Sequence, residues 1–324
     1  MRHRVLGSVV LVLALFAAAC SSSDTDGGAA AGDTSADTSA GAVATTPGDC
    51  DPVDPTECLL PWPNDRFTTA DDSRPTGRRL DLPAGGMPVN AKGVAVDPSE
   101  WNRNDGFSPA SIGLTVVPGV DPVASELTPQ TDIATSVKPD ANLAVVDVET
   151  GERVPAWAEL DTNVTDPSRQ PLRIIPATSL TEGRRYAIGL SNLRRADGSE
   201  IAANEAMAKL IAEPDADQQK WLESLRTAGV DTNALDVAWA FTVASSESLS
   251  GRLRSMWDET REQVGDGAPP FTVTTVNEVG PARFVEGTFD MPKYLTGDGA
   301  PGSVLNNDGS PTGTPTAEGT MPNP

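Results

Sequence analysis

The sequence predicts a mainly β protein with helical additions, an α+β chain that combines a small antiparallel β-sandwich with two amphipathic helices. Three observations favour this class. Short runs of alternating apolar and polar residues, separated by turns that contain Gly or Pro, fill the region from Ile112 to Leu190. Helical spacing of apolar residues begins only after Ile201. Alternating runs return after Phe271.

One β-hairpin is predicted from its turn. Residues 143–148 and 153–159 are alternating runs, and the intervening Glu149-Thr150-Gly151 is a short turn of the kind that joins neighbouring strands. Strands at this spacing favour a sandwich. The other predicted strands are residues 112–117, LRIIP from Leu172, RYAIGL from Arg185, VAWAFTV from Val237, FTVTTVNEV from Phe271 and RFVEGTFDMP from Arg283.

Two amphipathic helices are predicted in the second half of the chain. Asp215 is a suitable N-cap for the first, and Gly229 can end it. The second covers residues 247–264 and ends at Gly265. We expect the apolar side of each helix to pack in the core. These sides consist of Trp221, Leu222 and Leu225 in the first helix and of Leu249, Leu253, Met256, Trp257 and Val264 in the second.

The N-terminus has the composition of a signal peptide. Arg2 and Arg4 precede an apolar run over residues 5–19, which is shorter than the roughly 20 residues that cross a bilayer. The Ala-Ala-Ala-Cys junction that ends at Cys20 resembles a bacterial lipobox, with Ala17 where that motif prefers Leu. This predicts a lipid on Cys20 and a position on the outer face of the bacterial cytoplasmic membrane. A secretory peptide cut at an A-x-A site before Cys20 is the alternative.

Cleavage at this position would remove His3, the single histidine of the chain. The mature protein then has no imidazole for a Ser-His-Asp triad, a Cys-His pair or an HExxH zinc site. Loss of Arg2 and Arg4 leaves 22 basic and 46 acidic residues, a formal charge of −24. Such a charge makes nucleic acid a poor partner.

Two cysteines remain once Cys20 is lipidated. Cys50 and Cys58 form an even pair in an oxidising compartment, which predicts a disulfide that closes a small Pro-containing loop. Two free thiols or a metal pair are the alternative, although the other ligands of a soft-metal site are missing nearby.

The domain organisation follows from composition. Residues 20–49 have almost no large apolar side chains and are predicted to be a flexible tether, and the Gly-, Pro- and Thr-rich end resembles a linker. The predicted segments are a signal peptide (1–19), a disordered linker (20–49), an extended Pro-rich lead-in (50–110), a β-sandwich (111–201), a helix and strand extension packed on the sandwich (202–295) and a flexible C-terminal tail (296–324).

Several stretches together resemble a known family. They are DCDPVDPTECLLPWPNDRFT, DPSEWNRNDGFSPAS, VAWAFTVASSESLSGRLRSMWDE and VEGTFDMPKYLTGDGAPGS. They resemble the N-terminal region of large actinobacterial secreted or lipid-anchored proteins whose C-terminal half is an α/β-hydrolase, and LLPWPND is similar to a segment of bacterial virulence-factor lipase N-terminal domains. The predicted strand region is similar to bacterial Ig-like domains. The resemblance covers most of residues 50–303 and implies an Ig-like sandwich.

The resemblance stops where the hydrolase would begin. The family's nucleophile elbow and histidine are missing from this chain, and the nearest local match is Gly106-Phe107-Ser108-Pro109-Ala110. Ala110 replaces the final Gly of the elbow, and Pro109 has no N–H to donate to an oxyanion. We therefore predict no catalytic residue, including Ser108, and no cofactor.

The expected function is that of a cell-envelope lipoprotein that carries the non-catalytic accessory module of a lipase- or esterase-like protein. Its expected partners are the membrane, through the N-terminal anchor, the lipoprotein-processing enzymes and a hydrolase domain. One alternative is a surface domain that binds calcium or a glycan through turns such as 51–54 and 104–106, although the spacing names no definite metal ligands. Another is a glycosidase that uses two carboxylates.

Overall fold

A computed structural model describes residues 51–56, 58–308 and 313–323. These residues form mainly antiparallel β-sheets with three α-helices, which confirms the α+β class. The strands are β1 (Thr68–Ala70), β2 (Arg78–Leu80), β3 (Gly113–Val116), β4 (Leu143–Asp147), β5 (Ala156–Leu160), β6 (Pro171–Pro176), β7 (Arg185–Ser191), β8 (Leu235–Thr242), β9 (Phe271–Val279), β10 (Ala282–Lys293) and β11 (Gly319–Asn323). The helices are α1 (Glu205–Ala212), α2 (Ala216–Thr227) and α3 (Ser246–Val264).

Two three-stranded antiparallel sheets enclose the main core. Their strand orders are β3-β6-β5 and β4-β7-β8. Both sheets contribute fully buried side chains to one cluster, such as Ile174 from β6, Ile188 from β7 and Phe241 from β8. Because successive residues of a strand point to opposite faces, one face of each strand can supply this core. The two sheets are therefore held together by apolar packing.

The outer face of the β4-β7-β8 sheet is covered by α1 and α2. Met207, Trp221 and Leu225 lie in a second buried cluster with small side chains of the sheet, such as Ala187 and Ala240. This second cover explains why β7 and β8 are buried along nearly their whole length.

The predicted ends of α2 are confirmed. Asp215 forms a capping box with Gln218, in which each side chain accepts a hydrogen bond from the other residue's backbone N–H. Gly229 follows the helix with a φ of +86°, a conformation that costs glycine little.

The predicted pairing of residues 143–148 with 153–159 is wrong beyond its turn. The turn itself forms, and the N–H of Val154 donates to the carbonyl of Val145 at 2.7 Å. Beyond the turn, however, β4 pairs with β7, and β5 crosses to the other sheet to pair with β6. Alternation of apolar residues suits either partner, so the pattern could not distinguish them.

The lead-in attaches to both sheets. Trp62 exchanges backbone hydrogen bonds with Leu114 of β3 at 2.7 and 2.9 Å. The indole N–H of Trp239 in β8 donates to the carbonyl of Pro63 at 2.7 Å. β1 and β2 then form a short antiparallel pair.

The C-terminal part forms a third sheet, in the order β11-β10-β9. α3 ends at Gly265 as predicted. Two expectations differ from the structure here. The apolar side of α3 is largely exposed instead of packed in the core, and β11 pairs with β10 inside the segment that composition predicts to be a flexible tail. The sequence of β11, Gly-Thr-Met-Pro-Asn, has no alternation of apolar and polar residues that would indicate a strand.

Candidate functional site

The predicted modification sites lie mostly outside the described residues. Cys20 and Cys50 are both outside them. Cys58 is described and is buried. Lipidation of Cys20 and the Cys50–Cys58 disulfide therefore remain predictions.

Ser108 lies in a tight turn on the surface. Its hydroxyl oxygen accepts a hydrogen bond from the N–H of Ala110 at 3.2 Å, and Ser111 N–H donates to the Ser108 carbonyl at 3.0 Å. The preceding residue, Phe107, forms an isolated parallel bridge with Val243. A nucleophile elbow would place the serine between a strand and a helix. Ser108 instead precedes an irregular stretch that enters β3.

The carboxylates of the 51–54 turn take part in internal hydrogen bonds. Asp51 accepts from the N–H of Val53 and from the side chain of Asn64, at 2.9 and 3.1 Å. Asp54 accepts from the hydroxyl and the N–H of two successive residues of β3, Thr115 and Val116. Within residues 51–56, 58–308 and 313–323, no three His, Cys, Asp or Glu side chains are grouped so that they could hold a metal ion. The hydrogen bonds of Asp54 to Thr115 and Val116 attach the lead-in to β3.

An ion cluster joins the lead-in to β7 and α2. Arg185 of β7 donates from both terminal nitrogens to the carboxylate of Asp217, at 2.8 and 2.6 Å. Its Nε lies 2.8 Å from the carboxylate of Asp65. Arg78 of β2 reaches the same two carboxylates, at 3.8 and 3.3 Å. Asp65 also accepts hydrogen bonds from the N–H and hydroxyl of Thr242.

The two carboxylates of this cluster differ in environment. Burial raises the pKa of Asp65, and the nearby charges of Arg185 and Arg78 oppose that effect. Burial also acts to raise the pKa of Asp217, but the hydrogen bonds and charge of Arg185, with the charge of Arg78, outweigh it and lower that pKa. With every charge partnered inside the cluster, this arrangement is a structural clamp and offers no free nucleophile.

No local pattern in the sequence indicates this ion cluster. The quoted segments LLPWPND and RYAIGL contain Asp65 and Arg185, but 120 positions separate the two in the numbering. A charged residue that opens an otherwise apolar strand, as Arg185 does in β7, was the only available signal.

One side of α3 carries an exposed apolar surface. Leu249, Leu253 and Trp257 recur every four residues and so lie on one side of the helix. Leu253 is 67 % exposed and Trp257 is 62 % exposed. Large apolar side chains that are grouped on a surface indicate an interaction site.

The hairpin of β9 and β10 extends this apolar character. Val276 and Val285 are directly opposite each other in the hairpin, and both are exposed. The hydroxyl of Tyr294, which follows β10, lies 2.9 Å from the carbonyl oxygen of Met256 and ties the hairpin to α3. We define the apolar face as the exposed apolar side chains on one side of α3, which are Leu249, Leu253 and Trp257. The exposed apolar residues of the hairpin point to both of its faces, since Phe284 and Val285 are successive residues of β10.

Comparison of the chain with protein-family models, with curated proteins and with solved structures finds no match. In the described part of the chain, no helix combines the length and the apolar character that crossing a membrane requires.

Proposed function

We propose that this chain is the non-catalytic accessory module of a lipid-anchored cell-envelope protein of the lipase- or esterase-like kind. In this proposal the two facing sheets form an Ig-like sandwich, Cys20 carries the lipid, and the apolar face docks a hydrolase domain that these 324 residues do not include. The observation that carries the proposal is the apolar face. Its helix presents Leu253 and Trp257 to solvent at a spacing of four residues.

Two features support a docking role over catalysis. The sequence beyond His3 has no histidine, so it lacks the usual base that takes the proton of a serine nucleophile. An exposed apolar helix face is the kind of surface that a folded domain covers, because removal of large apolar side chains from water favours association.

The docking proposal is tested first in the DNA next to this coding sequence and then with any hydrolase domain encoded there. The DNA that follows codon 324 is read for a GxSxG motif with a later His, and the encoded domain is co-expressed with this chain. We expect a complex on size-exclusion chromatography. Leu253→Glu should weaken it at least tenfold, because the complex would bury an unpaired charge.

Val123→Glu is the matched control, because Val123 is 86 % exposed and lies outside the apolar face. It should leave the affinity unchanged. If the neighbouring DNA encodes no hydrolase, or if Leu253→Glu binds as the wild type does, the docking proposal is wrong.

Catalysis by this chain alone is tested separately. Purified residues 20–324 should not hydrolyse short- or long-chain p-nitrophenyl esters. Turnover that a serine-reactive phosphonate abolishes would identify a nucleophile in this chain and would overturn the non-catalytic assignment.

A further inference from the structure

An apolar cavity of about 440 Å³ lies between the lead-in and the start of α3. Its size is within the range of small-molecule sites, which is about 300–1,000 Å³. Trp62 and Phe107 form one wall as an edge-to-face pair with ring centres 5.0 Å apart. Leu80, Leu82 and Met87 provide much of the remaining lining. The lining therefore suits an alkyl chain.

A smaller polar cavity of about 270 Å³ adjoins it. The two cavities share Asn104 and Ser248, which line both. The polar cavity is also lined by the charged residues Arg74, Arg103, Asp105, Glu247 and Arg252. The hydroxyl of Ser248 donates to Asn104 Oδ1 at 3.3 Å, so a ligand that occupies both cavities must displace this hydrogen bond.

Asp105 in the polar cavity has a buried oxygen without a partner. The residue is 0 % exposed. Its Oδ1 accepts a hydrogen bond from the N–H of Ser245, the N-cap of α3, at 2.9 Å, whereas its Oδ2 has none. Leaving a buried carboxylate oxygen unpaired is costly, so this oxygen favours a ligand that brings a hydrogen-bond donor.

The charges around the polar cavity favour an uncharged donor. Glu100 already lies 3.3 Å from Arg103 and 3.7 Å from Arg252, so these guanidinium groups do not require an anion. They would repel an ammonium group, and Asp105 would repel an acidic one. A hydroxyl can donate to Asp105 Oδ2 and accept from a guanidinium at the same time.

We propose that the two cavities together bind one amphiphile, with a single alkyl chain in the apolar cavity and an uncharged polyhydroxyl head group in the polar cavity. A head-group hydroxyl donates to Asp105 Oδ2. Alkyl glycosides and monoacylglycerols have this chemistry. The inference does not rest on docking of a hydrolase, although Leu249 of the apolar face also lines the apolar cavity.

Isothermal titration calorimetry with the purified protein tests the proposal. The probes are octyl glucoside and decyl glucoside below their critical micelle concentrations, octanol, and glucose alone. We expect one site for each glucoside, with decyl glucoside binding about tenfold more tightly, because each buried methylene contributes about 0.8 kcal/mol. Glucose alone should not bind measurably, and octanol should bind at least tenfold more weakly than octyl glucoside.

Two variants distinguish binding of the alkyl chain in the apolar cavity from binding of the head group in the polar cavity. Ser111→Phe places a ring in the apolar cavity and should weaken both glucosides at least tenfold, whereas Thr165→Phe places the same ring in an exposed loop and should change nothing. Asp105→Asn keeps an acceptor for Ser245 but replaces Oδ2 by a donor, so it should lower glucoside affinity about tenfold and leave octanol binding unchanged. Thermal melts check that each variant is folded.

Equal affinity for octyl and decyl glucoside would contradict binding of the alkyl chain in the apolar cavity. Wild-type affinity of a folded Ser111→Phe variant would contradict it as well. Binding of the head group in the polar cavity would be contradicted if Asp105→Asn bound the glucosides with wild-type affinity. It would also be contradicted if octanol bound as tightly as octyl glucoside. Loss of binding in Ser111→Phe with an intact hydrolase complex would separate this site from the proposed docking face.

Discussion

Asp65 shows how one residue in an irregular segment can hold distant parts of the fold together. It lies in the lead-in, yet its carboxylate contacts Arg78 of β2, Arg185 of β7 and Thr242 of β8. Its side chain is almost fully buried. A buried charge is tolerated only when its partners are in place, so each of these contacts depends on the others.

We expect Asp65→Ala to lower the free energy of unfolding by about 3–5 kcal/mol, because it leaves the buried Nε of Arg185 without its nearby carboxylate and the N–H and hydroxyl of Thr242 without their acceptor. Urea unfolding followed by tryptophan fluorescence measures the change. Glu223→Ala is the control, since Glu223 and its partner Arg226 are both more than half exposed and loss of their ion pair should change stability little. A loss below about 1 kcal/mol in Asp65→Ala would contradict the clamp.

Asp217 gives the cluster a dependence on pH. Its pKa is lowered in the folded protein, so its contribution to stability is present above its unfolded pKa of about 3.9 and is lost as the pH falls through the lower, folded value. Since its side chain is 47 % exposed, we expect that contribution to be below about 1 kcal/mol.

Urea titrations between about pH 6 and pH 3 test this expectation. The wild type should lose more stability across that interval than Asp217→Asn, which has no group to protonate at this position. Equal losses in the two proteins would show that Asp217 is not linked to folding. The raised pKa of Asp65 acts in the opposite sense, and Asp65 shares Arg185 and Arg78 with Asp217. The comparison is therefore repeated in the Asp65→Asn background, where that group no longer titrates.

At the scale of elements, the junction between β8 and α3 depends on a close approach of two backbones. The N–H of Phe107 donates to the carbonyl of Thr242 at 2.9 Å, and the N–H of Ala244 donates to the carbonyl of Phe107 at 2.8 Å. A Cβ on Gly106 would lie 2.6 Å from the Ala244 nitrogen. Only glycine fits at this position without a shift of the backbone.

We expect Gly106→Ala to cost about 1–3 kcal/mol of stability, because a methyl group must be inserted between two bonded segments. Gly85→Ala is the matched control, since a Cβ there meets nothing within 4 Å and the residue has no positive φ. Thermal unfolding of both variants tests the difference. Equal melting temperatures would contradict the close approach.

Local patterns predicted β3 to β10 and the helices α2 and α3, but not β1, β2, β11 or the third helix, α1, and not the partners of the strands. Asp215, Gly229 and Gly265 mark helix ends through chemistry that acts within a few residues, so α2 and α3 were recognisable. The crossing of β5 to the other sheet is decided by which surface it buries, and alternation is the same for either choice.

The sites were less predictable than the elements, for a related reason. An amphipathic pattern in α3 states that one side is apolar but not what covers that side, so Leu253 and Trp257 were expected in the core. Ser245 lies 140 residues from Asp105 in the sequence, and its N–H donates to Oδ1 of Asp105 only, so that Oδ2 is left unpaired. Neither fact is encoded in a local stretch.

At the scale of the whole molecule, position in the cell depends on the N-terminus. We expect Cys20→Ser to move the protein from the membrane fraction to the medium, because the variant lacks the sulfur that would carry the lipid. Fractionation followed by immunoblotting measures the shift, and Ser23→Ala is the control, because it changes a residue near the junction and keeps the sulfur of Cys20. Equal membrane retention of wild type and Cys20→Ser would contradict the lipoprotein proposal.

The long separation between Asp65 and Thr242 also sets an order in time. During synthesis from the N-terminus, Asp65 is made long before β8, since 177 residues separate Asp65 from Thr242. The same holds for Pro63, whose partner Trp239 arrives 176 residues later. Until β8 has emerged, the lead-in has no complete set of partners, and pairings of such long sequence separation form slowly. The segment that begins the fold is thus completed among the last, and a newly made chain remains open to proteases until that moment.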